Sequence, residues 1–306
     1  MKILGEAQIR SSIGKAAAID AMRDAVIAQS RGECDTPMPM HLDLSSGGGG
    51  EVHIKSSYRR GGPRYALKVA GTYATRPYGS IVLVSAENGE TLAYFDDGGW
   101  LTDLRTAAVS AMAARELGRK DETLGILGTG VQARLQAELH AEVLPLRSVW
   151  IWGRDAARAG RCARDVAASL PGVKVSVAES PAEVAASAQL LVTATASRAP
   201  LLSARDLRPG AHVSAVGADS PGKQELDADV LRKAALILVD SRAQCERLGE
   251  LQHAKSEAGR AVELGTFCER PAAFAYERSG ITVADFTGLG AEDLFVAEAC
   301  LSRISE

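Results

Sequence analysis

The sequence predicts an α/β protein, a Rossmann-type doubly wound parallel sheet joined to a smaller mixed α+β domain. Three observations carry this. From about Leu101 onward, short apolar runs alternate with helical stretches, as strands do when crossover helices bury both their faces. The first hundred residues instead alternate apolar and polar side chains with period two, the pattern of half-buried antiparallel strands. Finally, the apolar run Leu124–Leu127 leads straight into Gly128-Thr129-Gly130-Val131-Gln132-Ala133, the glycine pattern of a dinucleotide-binding turn.

Taken in order, Ile19, Met22 and Val26 recur at helical spacing in an Ala-rich stretch and predict an amphipathic helix. Pro37, Pro39 and the Ser45–Gly50 run then break the chain into a loop. In Glu51–Ser57, Val52 and Ile54 face one way while His53 and Lys55 face the other. In Tyr65–Gly71, Tyr65, Leu67 and Val69 share a face, and Lys68 stands on the opposite one between Ala66 and Ala70. Ser80–Ser85 and Thr91–Phe95 flank Asn88-Gly89, which predicts a two-residue hairpin turn with both residues at positive φ. Leu101–Leu117 reads as a helix with Thr102, Arg105, Thr106 and Val109 along one stripe, closed by Gly118-Arg119-Lys120. The parallel strands are expected at Thr123–Leu127, Ser148–Trp152, Val173–Val177, Gln189–Thr193, His212–Val216 and Ala235–Val239. Glu292–Ile304 closes the chain as an amphipathic helix.

At 306 residues the chain exceeds a single core. The domains are expected at 1–115 with 284–306, and at 116–283. A net charge of −3 gives no reason to expect nucleic acid or an anionic membrane as a partner. No apolar run is long enough to span a bilayer, and Met1-Lys2-Ile3-Leu4-Gly5-Glu6 turns polar too soon for a secretory signal. Cys34, Cys162, Cys245, Cys268 and Cys300 are odd in number and scattered. They predict packed, reduced thiols of a cytoplasmic protein rather than a disulfide framework or a metal site.

In the glycine loop, Gly128 allows the tight turn, Gly130 lets the backbone approach a pyrophosphate, and Ala133 lets the helix pack on the strand. The helix N-terminus at Val131 and Gln132 then offers N–H groups to the phosphates. A Gly-rich turn that binds nothing is the alternative. Strand Ser148–Trp152 ends in Gly153-Arg154-Asp155, about 25 residues beyond the loop, close to where a ribose-binding carboxylate stands in NAD enzymes. Arg154, with Arg158 one helical turn on, suits a 2′-phosphate, so NADP(H) is favoured over NAD(H). Alternatively both arginines lie on a solvated face, and Asp155 is a helix cap or the ribose ligand.

Three blocks then carry a resemblance. Leu101-Thr102-Asp103-Leu104-Arg105-Thr106-Ala107-Ala108, Leu127-Gly128-Thr129-Gly130-Val131-Gln132-Ala133-Arg134 and Val216-Gly217-Ala218-Asp219-Ser220-Pro221-Gly222-Lys223-Gln224-Glu225-Leu226 resemble the signature blocks of the ornithine cyclodeaminase/μ-crystallin family. Weaker matches are Ala66-Leu67-Lys68-Val69, Thr193-Ala194-Thr195, Glu263-Leu264-Gly265 and Gly288-Leu289-Gly290-Ala291-Glu292-Asp293. The resemblance implies a Rossmann domain, a substrate and dimerisation domain to which the C-terminal helix returns, and a homodimer joined through its antiparallel sheets. It also implies hydride transfer at the C–N bond of a small amino or imino acid. Ala194, Thr195, Ala196, Val216 and Gly217 would add cofactor contacts.

Arg105 matches the family's substrate-carboxylate arginine, whose planar fork grips a carboxylate in two hydrogen bonds. Thr106 beside it would reach a cofactor phosphate. Lys68 matches the substrate lysine and has room for a ligand above it. Asp219 matches the catalytic aspartate, after a buried strand of the parallel sheet, where partial burial would fit it to move a proton. The family's additional substrate arginine is missing, since Thr36-Pro37-Met38-Pro39-Met40-His41 contains none. His53 or Lys55 could supply that cation. Phe286-Thr287 likewise replaces the Ser-Val pair of ornithine cyclodeaminases. The expected activity is therefore an NAD(P)H-dependent imino-acid or ketimine reductase. The alternatives are an ornithine cyclodeaminase and an NADPH-dependent binding protein.

Overall fold

A computed structural model describes residues 1–73 and 76–304. The chain folds as two compact units, Met1–Val109 with Leu289–Glu306, and Ser110–Gly288. No described helix is long and apolar enough to cross a membrane.

In the first unit β1 (Lys2–Gly5) leads through α1 (Glu6–Ser12) and α2 (Lys15–Ser30) to β2 (Cys34–Asp35) and β3 (Met40–Asp43). There follow β4 (Glu51–Arg59), β5 (Arg64–Thr72), β6 (Pro77–Ser85), β7 (Thr91–Asp96) and α3 (Trp100–Glu116), within which the unit ends. The described strands form one sheet in the order β1-β7-β6-β5-β4-β2, with β3 also on β4. Only the β1–β7 pair is parallel. Ala18, Ile19, Met22, Ala25 and Val26 of α2 are buried, and the C-terminal helix, Gly290–Ile304, packs on α2, β4 and β5. This helix starts at a glycine because a Cβ on Gly290 would lie 2.2 Å from the Ser56 carbonyl oxygen. The opposite sheet face keeps Ile3, Met40, Leu42, Leu67 and Val69 exposed. Apolar alternation is therefore present in β5, but the helices cover the side that carries Ala66 and Lys68.

Two expectations need correction. The Met40–Asp43 strand lies in the stretch expected as loop, and its register with β4 sets His41 opposite His53. The β6–β7 connection is a four-residue turn, Ala86–Gly89, closed by the Ser85 N–H to the Glu90 carbonyl at 2.9 Å. Only Gly89 has positive φ there, at 76°. The Ser85 hydroxyl accepts from the Glu87 N–H, and the Asn88 side chain accepts from the Glu90 N–H. These bonds close the turn without a left-handed Asn88.

The second unit continues with β8 (Thr123–Leu127), α4 (Val131–Ala141), β9 (Ser148–Trp152), α5 (Ala156–Ser169), β10 (Lys174–Val177), α6 (Pro181–Ser187), β11 (Leu190–Thr193) and β12 (Arg198–Leu202). It ends with β13 (His212–Ala215), β14 (Gln224–Leu226), α7 (Ala228–Lys233), β15 (Leu236–Val239), α8 (Arg242–Leu248), β16 (Val262–Glu263), α9 (Leu264–Glu269) and β17 (Thr282–Asp285). The main sheet is parallel throughout, in the order β10-β9-β8-β11-β13-β17-β15-β16. The order reverses between β8 and β11, and a doubly wound sheet binds ligands at the carboxyl ends of such strands. All six expected strands are present. β17, which the sequence reading omits, inserts between β13 and β15. Its four residues are buried.

Candidate active site

A cleft of about 380 Å³ opens at the carboxyl ends of β8, β9 and β11. Its lining includes Gly128, Thr129, Gly130, Gly153, Arg154, Asp155, Arg158, Ala194, Thr195 and Ala196, ten of the predicted cofactor residues. Gly128 has φ 138°, and a Cβ there would lie 2.5 Å from the Ala194 carbonyl oxygen, whereas a Cβ on Gly130 would meet nothing within 4 Å. The first glycine closes the turn on β11; the second leaves open space over the N-terminus of α4. Arg134 Nη1 donates to the Thr129 and Gly130 carbonyls, both at 2.9 Å. In trans peptides the N–H groups of Gly130 and Val131 therefore point away from Arg134. The loop thus has the open backbone, helix dipole and directed N–H groups that a pyrophosphate requires.

Asp155 caps α5, its Oδ1 accepting from the Arg158 N–H at 3.0 Å, and that bond is the first cause of its lowered pKa. Its other oxygen lies 3.8 Å from Arg158 Nε. Of the remaining cofactor candidates, Val131 is exposed in the first turn of α4, and Gln132 Oε1 accepts from Gln136. Val216 and Gly217 follow β13 and are not in the cleft lining. Thr106, in the first unit, donates its hydroxyl to the Thr102 carbonyl within α3.

Asp219 lies after β13, with its side chain 40 % exposed. Lys223 Nζ sits 2.6 Å from its Oδ1, and the Ser220 hydroxyl donates to the same oxygen at 3.1 Å. The candidate proton carrier is thus an Asp–Lys couple within one turn of chain.

The substrate candidates gather in the first unit. Lys55 and Lys68 stand directly opposite on β4 and β5, both buried on the helix-covered face. From the C-terminal helix Asp293 places Oδ2 3.1 Å from Lys68 Nζ and accepts from Arg105 Nε at Oδ1, also at 3.1 Å. Arg105 Nη1 donates to Glu292 Oε2 at 3.0 Å. Burial pushes the Lys68 ammonium down to about 7, against the pull of Asp293. Burial raises Asp293, but the Lys68, Arg105 and Lys55 charges outweigh it and hold the carboxyl below its usual range. Three basic side chains and two carboxylates are thus gathered out of water, with Lys68 and Arg105 paired to Asp293 and Glu292.

His53 shares the face of Lys55, but its ring packs on His41 at 4.3 Å between centroids, and its Nε2 lies 3.7 Å from Glu51. The space expected above Lys68 is bounded by Asp293, absent from the predicted site. Asp293 sits three, four and seven residues before Val296, Ala297 and Cys300, so it occupies the buried stripe of its own helix, a signal the sequence does contain. Arg134 was visible only as part of a motif.

The ornithine cyclodeaminase/mu-crystallin family model matches residues 2–306. An alanine dehydrogenase of Archaeoglobus fulgidus is 31% identical over 97% of this chain and 92% of its own. The ketimine reductase mu-crystallin of Mus musculus is 33% identical over 72% of this chain and 67% of its own. The solved iminosuccinate reductase of Paracoccus denitrificans, in complex with NAD+, superposes with a TM-score of 0.88 at 26% identity, covering 100% of this chain and 96% of that one.

Proposed function

Because the chain belongs to the ornithine cyclodeaminase/mu-crystallin family, we propose that it is an NAD(P)H-dependent reductase of small imino acids or ketimines. The observation that carries this reading is the buried set Lys55, Lys68 and Arg105, braced from behind by Asp293 and Glu292. Such a set suits a carboxylate, and its relatives include reductases of C=N bonds.

Gly128, Thr129, Gly130 and the first turn of α4 would hold the pyrophosphate, and Gly153, Arg154, Asp155 and Arg158 the adenosine ribose. Ala194, Thr195 and Ala196 would flank the remainder. The two guanidinium groups favour NADP(H), while Asp155 leaves NAD(H) admissible; the ratio of NADPH to NADH affinity decides between them. When bound, the dinucleotide supplies a hydride to the carbon of the C=N bond. Arg105 and Lys68 orient the substrate by its carboxylate, so the reacting atoms meet without a search. The Asp219–Lys223 couple would supply the proton that the nitrogen needs, the Lys223 ammonium 2.6 Å away giving its proton through the Asp219 carboxylate. Asp219→Asn should abolish reduction of a ketimine while NAD(P)H still binds; retained turnover would remove Asp219 from the reaction.

Lys55, rather than His53, supplies the cation of the missing arginine. It is buried opposite Lys68 and within electrostatic reach of Asp293, whereas His53 is turned to His41 and Glu51. Lys55→Met is expected to raise the substrate KM roughly tenfold or more, the value of a charged hydrogen bond. His53→Ala should change it little, and the reverse ranking would exchange their roles.

Lys68 adds a pH dependence. Its charge is present below about 7 and lost above, so carboxylate affinity should fall as pH rises through neutrality. The measurement is kcat/KM against pH for the wild type and Lys68→Met, whose profile should lose that limb.

The exposed apolar sheet face around Leu67, Val69 and Met40 suits a second copy of the chain, and light scattering should report a dimer. Five buried free thiols fit a reducing cytoplasm.

A further inference from the structure

Beneath the cleft lies a carboxylate that the proposed reaction does not use. Glu225, on β14, is fully buried. Its Oε1 accepts from the Thr195 N–H at 2.6 Å and from the Thr195 hydroxyl at 2.7 Å, and its Oε2 accepts from the Gly217 N–H at 3.0 Å. Thr195 is a wall residue of the cleft in the loop after β11; Gly217 is in the loop after β13. One side chain therefore ties the ends of two adjacent parallel strands. The fit is close, because a Cβ on Gly217 would lie 2.5 Å from Glu225 Oε2.

Behind Glu225 the same device repeats. Glu250 accepts from the N–H groups of Glu225 and Leu226 at 2.7 and 3.2 Å. Asp285, at the end of β17, accepts from the N–H groups of Glu250 and Leu251, both at 2.9 Å. Each carboxylate grips the backbone that carries the next, from the strand end at Asp285 to the cleft wall. Burial pushes Glu225 and Glu250 up, and Asp285 up to about 7. Apolar side chains in these places would leave the backbone N–H groups of Thr195, Gly217, Glu225, Leu226, Glu250 and Leu251 without these acceptors.

We propose that Glu225 is the positioning residue of the dinucleotide cleft, fixing Thr195 against Gly217 so that the wall after β11 is preset for the cofactor. The proposal rests on the cofactor reading above. Three donors converge on this group, and an ionised carboxylate is acceptor-only, able to meet all three. Glutamine has the same shape but must turn an NH₂ toward one of those donors. Aspartate keeps the acceptors and loses one methylene of reach.

The test is isothermal titration of NADH and of NADPH into the wild type, Glu225→Gln, Glu225→Asp and Val230→Ala. Amide hydrogen exchange is followed at Thr195 and Gly217 in the ligand-free proteins. Val230 is a fully buried α7 residue of the same unit, and its truncation controls for destabilisation alone. Glu225→Gln should bind the preferred dinucleotide at least tenfold more weakly and lose protection at both amides. Glu225→Asp should recover part of each. Val230→Ala should lower the melting temperature with affinity and protection unchanged. Wild-type affinity and protection in Glu225→Gln would overturn the proposal, as would an equal loss in Val230→Ala. Absence of dinucleotide binding by the wild type would overturn the cofactor reading itself, a separate outcome. If Glu225→Gln does not fold, the comparison of Glu225→Asp with Val230→Ala decides by the same two readouts.

Discussion

Asp293→Asn is expected to lower the melting temperature by several degrees and to weaken substrate binding at neutral pH together. Asp293 is the carboxylate shared by Lys68 and Arg105, with one oxygen on each at 3.1 Å, and both cations are almost wholly out of water. Removing one partner of a buried ion pair costs about 3–5 kcal/mol, because the remaining charge is left desolvated. The asparagine is isosteric, so packing is kept and the loss is electrostatic. Without the anion that favours its charged form, Lys68 should lose its proton at a lower pH than in the wild type, where burial already brings it down to about 7. The alkaline fall in kcat/KM should therefore move to lower pH. Thermal unfolding and the pH profile are the two measurements. A stable Asp293→Asn protein with an unchanged profile would mean that Asp293 is not the anchor of the cation set.

Gly128→Ala should disable the dinucleotide cleft while leaving the first unit folded. At φ 138° the backbone lies where L residues rarely go, and the added Cβ would stand 2.5 Å from the Ala194 carbonyl oxygen. The strain alone is about 1–3 kcal/mol, roughly a 5- to 150-fold effect if expressed in the loop, and the clash adds to it. The Gly128 N–H also donates to the Trp152 carbonyl at 2.9 Å, so relief by moving the loop would pull on β9. NADH and NADPH should both bind at least tenfold more weakly, because the damage falls on the phosphate turn and not on the ribose end. Equal affinity in the variant would remove Gly128–Ala133 from the cofactor site.

What was legible in the sequence follows from how local each signal is. The glycine turn is legible because strand, glycines and helix are consecutive, and Ala133 is fully buried where the helix meets the strand. The parallel strands are legible because burial on both faces makes them short unbroken apolar runs. β17 escaped because Thr282 and Asp285 interrupt its apolar character. Thr282 is matched by His212 at 2.9 Å and Asp285 by the N–H groups of Glu250 and Leu251, partners that come only with the tertiary fold. Lys68 and Arg105 could be named from motifs, but their anchor lies on the last helix, where an acidic first turn looks like a favourable dipole contact at the surface. Only the burial of the stripe through Asp293, Val296, Ala297 and Cys300 turns it inward. Glu225 lies within the Val216–Leu226 stretch, yet its contacts to Thr195 and Gly217 depend on two strand ends brought together by sheet order.

Reduction of a C=N bond next to a carboxylate is measured most directly by absorbance of the reduced nicotinamide band with purified protein. NADPH and NADH are each offered with a five- and a six-membered cyclic ketimine carboxylate, and with 2-oxo acids plus ammonia. Parallel reactions offer L-ornithine with NAD+ and are scored for ammonia and proline. Cofactor consumption matched by amino-acid formation is expected with at least one C=N substrate, and is expected to be lost in Arg105→Ala and Asp219→Asn. Proline and ammonia from ornithine with no ketimine reduction would contradict that expectation in favour of a cyclodeaminase. Tight NADPH binding without turnover of any substrate would contradict it in favour of a binding protein.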